Sequence, residues 1–146
     1  QAWDSRLGAL PYANSYEALT MASIIEKESA SNSERALIAG VFVARLDLGM
    51  RLQSDPTTIY GMGDRYAGNI RRADLLEETP YNTYRIDGMP PTPIALSGKE
   101  SIVAALNPSA SDYLYFVARV DGSHQFSRTL EEHNAAVREH QLGSSN

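Results

Sequence analysis

At 146 residues with 42% hydrophobic content, the chain has the material for one ordinary globular domain with a real core. A net charge of -5 with Arg71-Arg72 as the only adjacent cations excludes a nucleic-acid or polyanion partner, which needs clustered Lys and Arg, and favours a neutral or modestly charged polymer. The absence of cysteine excludes a disulfide framework, a thiol nucleophile and a Cys-based metal site.

No signal peptide or long apolar run is present, and the chain starts at Gln1 without Met. It therefore reads as a fragment or processed form whose targeting segment is missing. Residues 1–13, with Trp3, Gly8 and Pro11, have no period and read as an irregular lead-in. Residues 14–30 read as one helix: Asn14 followed by Glu17 is a capping-box start. At about 100° per residue Ala18, Met21, Ile24 and Ile25 share a side, and Glu28 projects into that stripe between Met21 and Ile24. Glu26 falls at its edge and Lys27 opposite. A carboxyl pressed against apolar neighbours loses hydration when charged, so its pKa rises toward neutrality, which suits a general acid. The competing interpretations are a helix that frays before Glu28 and an ion pair between Glu28 and an arginine such as Arg45 or Arg51.

Ser31 with Glu34 repeats the capping-box spacing and opens a second, core helix through Leu37, Ile38, Val41, Phe42, Ala44 and Leu46, ending at Gly49. Asp55-Pro56 carries the signature of a helix N-cap followed by Pro at the first helical position, against a direct catalytic role for Asp55. Gly61-Met62-Gly63 ends that turn. Residues 64–78 are polar and basic, with a short helix near residues 73–76 and the charges on a solvated face. Residues 80–86, rich in aromatic and β-branched side chains, read as a strand or extended segment closed by Asp87-Gly88. Three prolines then stiffen residues 89–94 as a groove wall or surface connector. Ser97 with Glu100 is a third capping box, opening a helix that stops at Asn107-Pro108. Residues 113–118 and 124–127 form a hairpin about Asp121-Gly122, with Tyr113 and Tyr115 as core or strand-face residues. Thr129 with Glu132 starts a closing helix through His140, before a loose tail over residues 141–146. His124 and His133 have no Asp, Glu or His at a familiar ligand spacing, so no metal is expected; each reads as a hydrogen-bonded structural histidine, His124 near a groove rim. The pattern is that of a single α+β domain, with several helices and a small antiparallel hairpin lining a cleft.

The runs Ala22-Ser23-Ile24-Ile25-Glu26-Lys27-Glu28-Ser29 and Met50-Arg51-Leu52-Gln53-Ser54-Asp55-Pro56-Thr57, then Ile59-Tyr60-Gly61, Tyr81-Asn82-Thr83-Tyr84, Gly88 with Pro90-Pro91, and His124 with Phe126 through His133-Asn134 together resemble the MltG/YceG-like endolytic murein transglycosylases. The likeness covers residues from about Leu19 to about Val137 and makes the whole of 1–146 a YceG-like catalytic domain. It implies cleavage inside peptidoglycan glycan strands at the bond from N-acetylmuramic acid to N-acetylglucosamine, leaving a 1,6-anhydro end, without cofactor. It also implies that the catalytic acid is the second glutamate of the Glu-Lys-Glu motif, here Glu28, the residue that the helix geometry also selects. Gln53, Asp55, Tyr60, Tyr81, Asn82 and Tyr84 are the expected substrate-binding residues, with polar groups for N-acetyl and hydroxyl and aromatic faces for sugar rings. The family's membrane anchor and N-terminal binding module are absent from this chain. The full-length protein is expected at the inner membrane, its catalytic domain facing the periplasm, with cell-wall synthases as partners. Two alternatives stand beside this: a non-catalytic peptidoglycan-binding module, and a water-using muramidase with Asp55 as second carboxylate.

Overall fold

The computed structural model describes residues 3, 4, 6, 8–29 and 31–142; residues 1, 2, 5 and 7 of the expected lead-in, Ala30, and residues 143–146 of the expected tail over 141–146 lie outside the described residues. Among those described, six α-helices and one two-stranded antiparallel sheet follow in the order α1 Ser15–Glu28, α2 Asn32–Leu48, α3 Asp55–Met62, α4 Arg72–Leu76, α5 Lys99–Leu106, β1 Tyr115–Ala118, β2 His124–Ser127 and α6 Leu130–Val137. This is the α+β architecture expected from the sequence.

α1 starts at the expected Asn14 cap, but the box is only half formed, because the Glu17 side chain takes the N–H one residue before the cap. The Glu17 backbone N–H donates to Asn14 Oδ1 at 3.0 Å, and the Glu17 carboxylate accepts from the Ala13 N–H at 2.8 Å. Met21, Ile24 and Ile25 are fully enclosed. Each such side chain contributes roughly 1.5–3 kcal/mol by burial, against about 1 kcal/mol for a cap, so packing rather than capping fixes which way α1 faces. The enclosed surface is wider than a single stripe, since Thr20, Ala22 and Ser23 are buried as well. α5 packs along the helix, and Ser23 Oγ accepts the Ile94 N–H at 3.0 Å, which brings the proline-rich stretch onto it. α2 supplies Ile38, Ala39 and Phe42 to the same core. A Cβ on Gly40 would lie 2.5 Å from the Ser109 carbonyl oxygen, so only glycine admits this close approach of the chain beyond α5.

Several local expectations are corrected. Glu34 does not complete a capping box on Ser31; its carboxylate is engaged by His124, where an N–H of the backbone and one of the ring replace a single cap bond. Ser97 does not cap α5. Glu26 of α1 does so, its Oε1 accepting from the Gly98 N–H at 2.9 Å and the Ser101 hydroxyl at 2.8 Å. Residues 80–86 form turns rather than a strand, because the buried Asn82 gathers the chain around itself. Its Nδ2 donates to the Leu75 and Glu77 carbonyls at 3.0 and 2.6 Å, and its Oδ1 accepts the Tyr84 N–H at 3.0 Å, an Asx turn. The hairpin and the Thr129–Glu132 box of α6 form as expected, with Tyr115 opposite Ser127 and Ala118 opposite His124.

Candidate active site

Glu28 is the last residue of α1, where the helix reaches an open cavity of about 390 Å3, within the size range of small-ligand clefts. Gln53, Asp55 and Tyr84 share this cavity with Arg45 and with His124 and His133 from the hairpin and α6. The Glu28 carboxyl is pushed up to about 7, first by burial and then by the negative charge of Asp55, while the Ser54 hydroxyl beside it pulls the other way. Neither arginine that competes for it in the sequence is available. Arg51 pairs with Asp87 at 3.1 Å and donates to the Tyr84 carbonyl at 3.0 Å. Arg45, 6% exposed, donates from Nε to the Leu114 carbonyl at 2.7 Å and from Nη1 to the Arg51 carbonyl at 2.8 Å.

Those bonds build the wall beside Glu28. Arg45 holds the loop before α3 from below, its Nη1 also lying within 3.5 Å of Gln53 Oε1. Thr83 holds the loop from the other side: its carbonyl accepts the Gln53 N–H at 3.2 Å, and its Oγ1 the Ser54 N–H at 2.8 Å. Between them Gln53 sits at φ 52°, in the left-handed region, a conformation costing on the order of 1–3 kcal/mol for a residue with a Cβ. Such strain persists only where the surroundings over-determine it, as these bonds do.

Asp55 is not the N-cap of α3. Ser54 is, and Asp55 falls in the first turn, where the helix dipole favours an anion. Pro56 still sits where a missing N–H costs nothing, so the Asp-Pro pair signals a helix start one residue earlier than expected. Asp55 Oδ1 instead accepts the Tyr84 hydroxyl at 2.6 Å. Burial, and then that bond, hold the Tyr84 phenol un-ionised, well above its ordinary range.

The remaining sequence candidates lie elsewhere. Asn82, 1% exposed, holds the backbone together in the interior. Tyr60 and Tyr81 are not among the cavity residues; they pack on each other with ring centroids 4.8 Å apart, and the Tyr81 hydroxyl bonds Thr92 Oγ1 at 2.8 Å. Glu26, the charged neighbour of Glu28, is held below the usual carboxylate range by the Gly98 N–H and the Ser101 hydroxyl. The sequence marks Arg45 only as an ion-pair partner and Tyr115 only as a core or strand-face residue. In the fold the Arg45 guanidinium lies 5.0 Å over the Tyr115 ring, and Tyr115 stacks on His133 at 5.1 Å. Burial, with the charge of Arg45, keeps His133 below the ordinary histidine value and hence neutral at pH 7. No His, Asp and Glu group with metal-ligand geometry occurs among the described residues.

An α+β domain that presents one near-neutral carboxyl, unpaired with any cation, to an open polar cavity is equipped for acid catalysis on an uncharged substrate. The YceG-like family model matches residues 1–139, and the chain belongs to that family. It is 44% identical over 131 residues to an endolytic murein transglycosylase of Bacillus subtilis (strain 168), covering 90% of this chain and 36% of that protein. It is 39% identical over 130 residues to an endolytic murein transglycosylase of Streptococcus pneumoniae serotype 2 (strain D39 / NCTC 7466), covering 85% and 23%. A 2.6 Å crystal structure of a yceG-like protein from Listeria monocytogenes superposes with a TM-score of 0.78 at 50% identity, over 83% of this chain and 39% of that one. The chain thus spans about a third of the Bacillus relative and about a quarter of the Streptococcus relative.

Proposed function

We propose that this domain is a peptidoglycan lytic transglycosylase that cuts the bond from N-acetylmuramic acid to N-acetylglucosamine within glycan strands and leaves a 1,6-anhydro end. The observation that carries this is Glu28: a carboxyl pushed up to about 7 is a proton donor at neutral pH. Protonated Glu28 donates to the glycosidic oxygen as its bond to the anomeric carbon breaks, and the muramoyl 6-hydroxyl attacks that carbon. The emptied carboxylate can then take the hydroxyl proton, so no water is consumed. Gln53, Asp55 and Tyr84 are the binding and tuning groups closest to this chemistry, and Tyr60 with Tyr81 offers an aromatic surface for a more distant sugar; Asn82 supports them from within. On this account the protein acts on the cell wall outside the cytoplasm, anchored at the inner membrane through segments beyond this chain and working beside cell-wall synthases. No helix among the described residues is long and apolar enough to cross a membrane.

The relatives' shared activity supports this account. A water-using muramidase is the second reading, favoured by one observation, that Asp55 is near enough to Glu28 to raise its pKa. Mass spectrometry of peptidoglycan digested by the purified domain separates the outcomes. Anhydro ends are expected; reducing ends identify a hydrolase, and intact strands identify a binding module.

A further inference from the structure

Ser54 holds the N-cap position of α3 yet makes no cap bond with its side chain, although serine is among the residues that cap best. Its main chain is fixed on both sides. The N–H donates to Thr83 Oγ1 at 2.8 Å, and the carbonyl accepts the Thr57 hydroxyl at 2.9 Å and the Thr58 hydroxyl at 3.3 Å. The side chain is fully enclosed, and its hydroxyl oxygen has no hydrogen-bond partner of full geometry among the described residues. A buried hydroxyl left unpaired costs free energy, so its retention calls for a reason. Ser54 stands between Gln53 and Asp55, which both line the cavity of Glu28, and α3 packs against α1. The hydroxyl lies beside the Glu28 carboxyl and favours its charged form.

Resting on the role given to Glu28 above, we propose that Ser54 is a positioning residue of the transglycosylase reaction, whose hydroxyl donates a hydrogen bond to Glu28 as that carboxyl gives up its proton. A serine hydroxyl rotates to suit its surroundings and a carboxylate only accepts, so the bond forms as the negative charge does. The glycosidic bond to the anomeric carbon breaks with its electron pair on the leaving oxygen, and the Glu28 proton goes to that oxygen. Ser54 keeps its own proton throughout. The muramoyl 6-hydroxyl then returns a proton to Glu28, and the Ser54 bond is released. An interaction missing from the resting state and made to the charged one raises kcat and leaves KM alone. The charged and titratable groups that share the cavity with Glu28 are Asp55 from α3, Arg45 from α2, Tyr115 from β1, His124 from β2, His133 from α6, and Tyr84 from the turns after α4. α5, which also packs on α1, presents Lys99 and Glu100 to a separate pocket.

The test is Ser54→Ala in the purified chain, read by an NMR titration of the Glu28 carboxyl carbon and by the pH profile of kcat on peptidoglycan. Without the hydroxyl the charged form of Glu28 loses a stabilising partner, so the titration midpoint and the basic limb of kcat both move up from about 7 by roughly one unit of pH. At pH 5, where Glu28 is protonated in both proteins, kcat falls about tenfold. KM and Tm stay nearly unchanged, because no cap bond is lost. A serine that merely caps α3 gives the reverse pattern, a lower Tm with the Glu28 midpoint in place, and that result overturns the proposal. A kcat at pH 5 within about twofold of wild type overturns it as well. If Ser54→Ala fails to fold, Ser54→Cys takes its place: a thiol is a weak donor, the midpoint again rises, and an unmoved midpoint overturns the proposal. Wild-type digests without anhydro ends overturn the transglycosylase reading and this inference with it. Anhydro ends from wild type, beside an unmoved Glu28 midpoint in Ser54→Ala, overturn the inference alone.

Discussion

Asp55→Asn separates electrostatic tuning from direct participation. Asn can still accept the Tyr84 hydroxyl that now bonds Asp55 Oδ1 at 2.6 Å, and Asp55 lies past the N-cap position, which Ser54 holds, so the substitution removes a charge and little else. That charge is the second cause, after burial, of the rise of Glu28 from 4.5 to about 7. A neighbouring charge of this kind is worth roughly one unit of pH, so its removal moves the basic limb of the kcat profile down from about 7 by about that much. At pH 7 the protonated fraction of Glu28 then drops from about half to about a tenth, roughly a fivefold loss of activity, while at pH 5 both enzymes are mostly protonated and differ by less than about twofold. The assay is release of soluble fragments from peptidoglycan between pH 4.5 and 8.5, beside thermal unfolding of both proteins. A loss of orders of magnitude at every pH, at unchanged Tm, refutes this and makes the Asp55 charge act on the reaction itself.

Glu28→Gln is expected to abolish turnover. It also raises stability at pH 8: the native state holds a proton on Glu28 that the unfolded chain has lost, so wild-type stability falls between pH 4.5 and about 7. The Gln variant is spared that loss, on the order of 3 kcal/mol at pH 8 and almost none near pH 4; equal Tm values at pH 8 contradict the raised pKa. Glu26→Ala is expected to keep kcat while destabilising by about 1 kcal/mol through loss of the α5 cap, and denaturant unfolding together with activity checks both. Gln53→Val places a β-branched residue at φ 52° and is expected to cost about 1–3 kcal/mol, whereas Gln53→Gly relieves strain but removes the side-chain amide and lowers activity; a Val variant as stable as wild type counts against a strained loop.

The helices were legible where apolar spacing coincided with a local cap, as at Asn14 for α1 and Thr129 for α6. Sequence failed where a polar side chain had a distant partner. Glu26 and Glu34 stand three residues from plausible local partners or beside other charges, yet one caps α5 across the core and the other holds His124, 90 residues away. No local pattern distinguishes such a carboxylate from one in a capping box. Asn82 misled for the same reason: its neighbours have strand propensity, but an amide bonded to three backbone carbonyls outweighs propensities worth tenths of a kcal/mol each. Glu28 was readable because helical period alone sets its direction. Its burial beside Asp55 required the fold, since those two residues meet only when α1 and α3 pack together.

The most direct measurement is a 13C NMR titration of the Glu28 side-chain carboxyl carbon, recorded beside the pH profile of kcat. The account predicts a titration midpoint near 7 that coincides with the basic limb of activity, and its disappearance in Glu28→Gln. A Glu28 midpoint at an ordinary glutamate value of about 4.3, with activity persisting above pH 7, would mean that Glu28 is ionised during turnover and that the proton comes from another group.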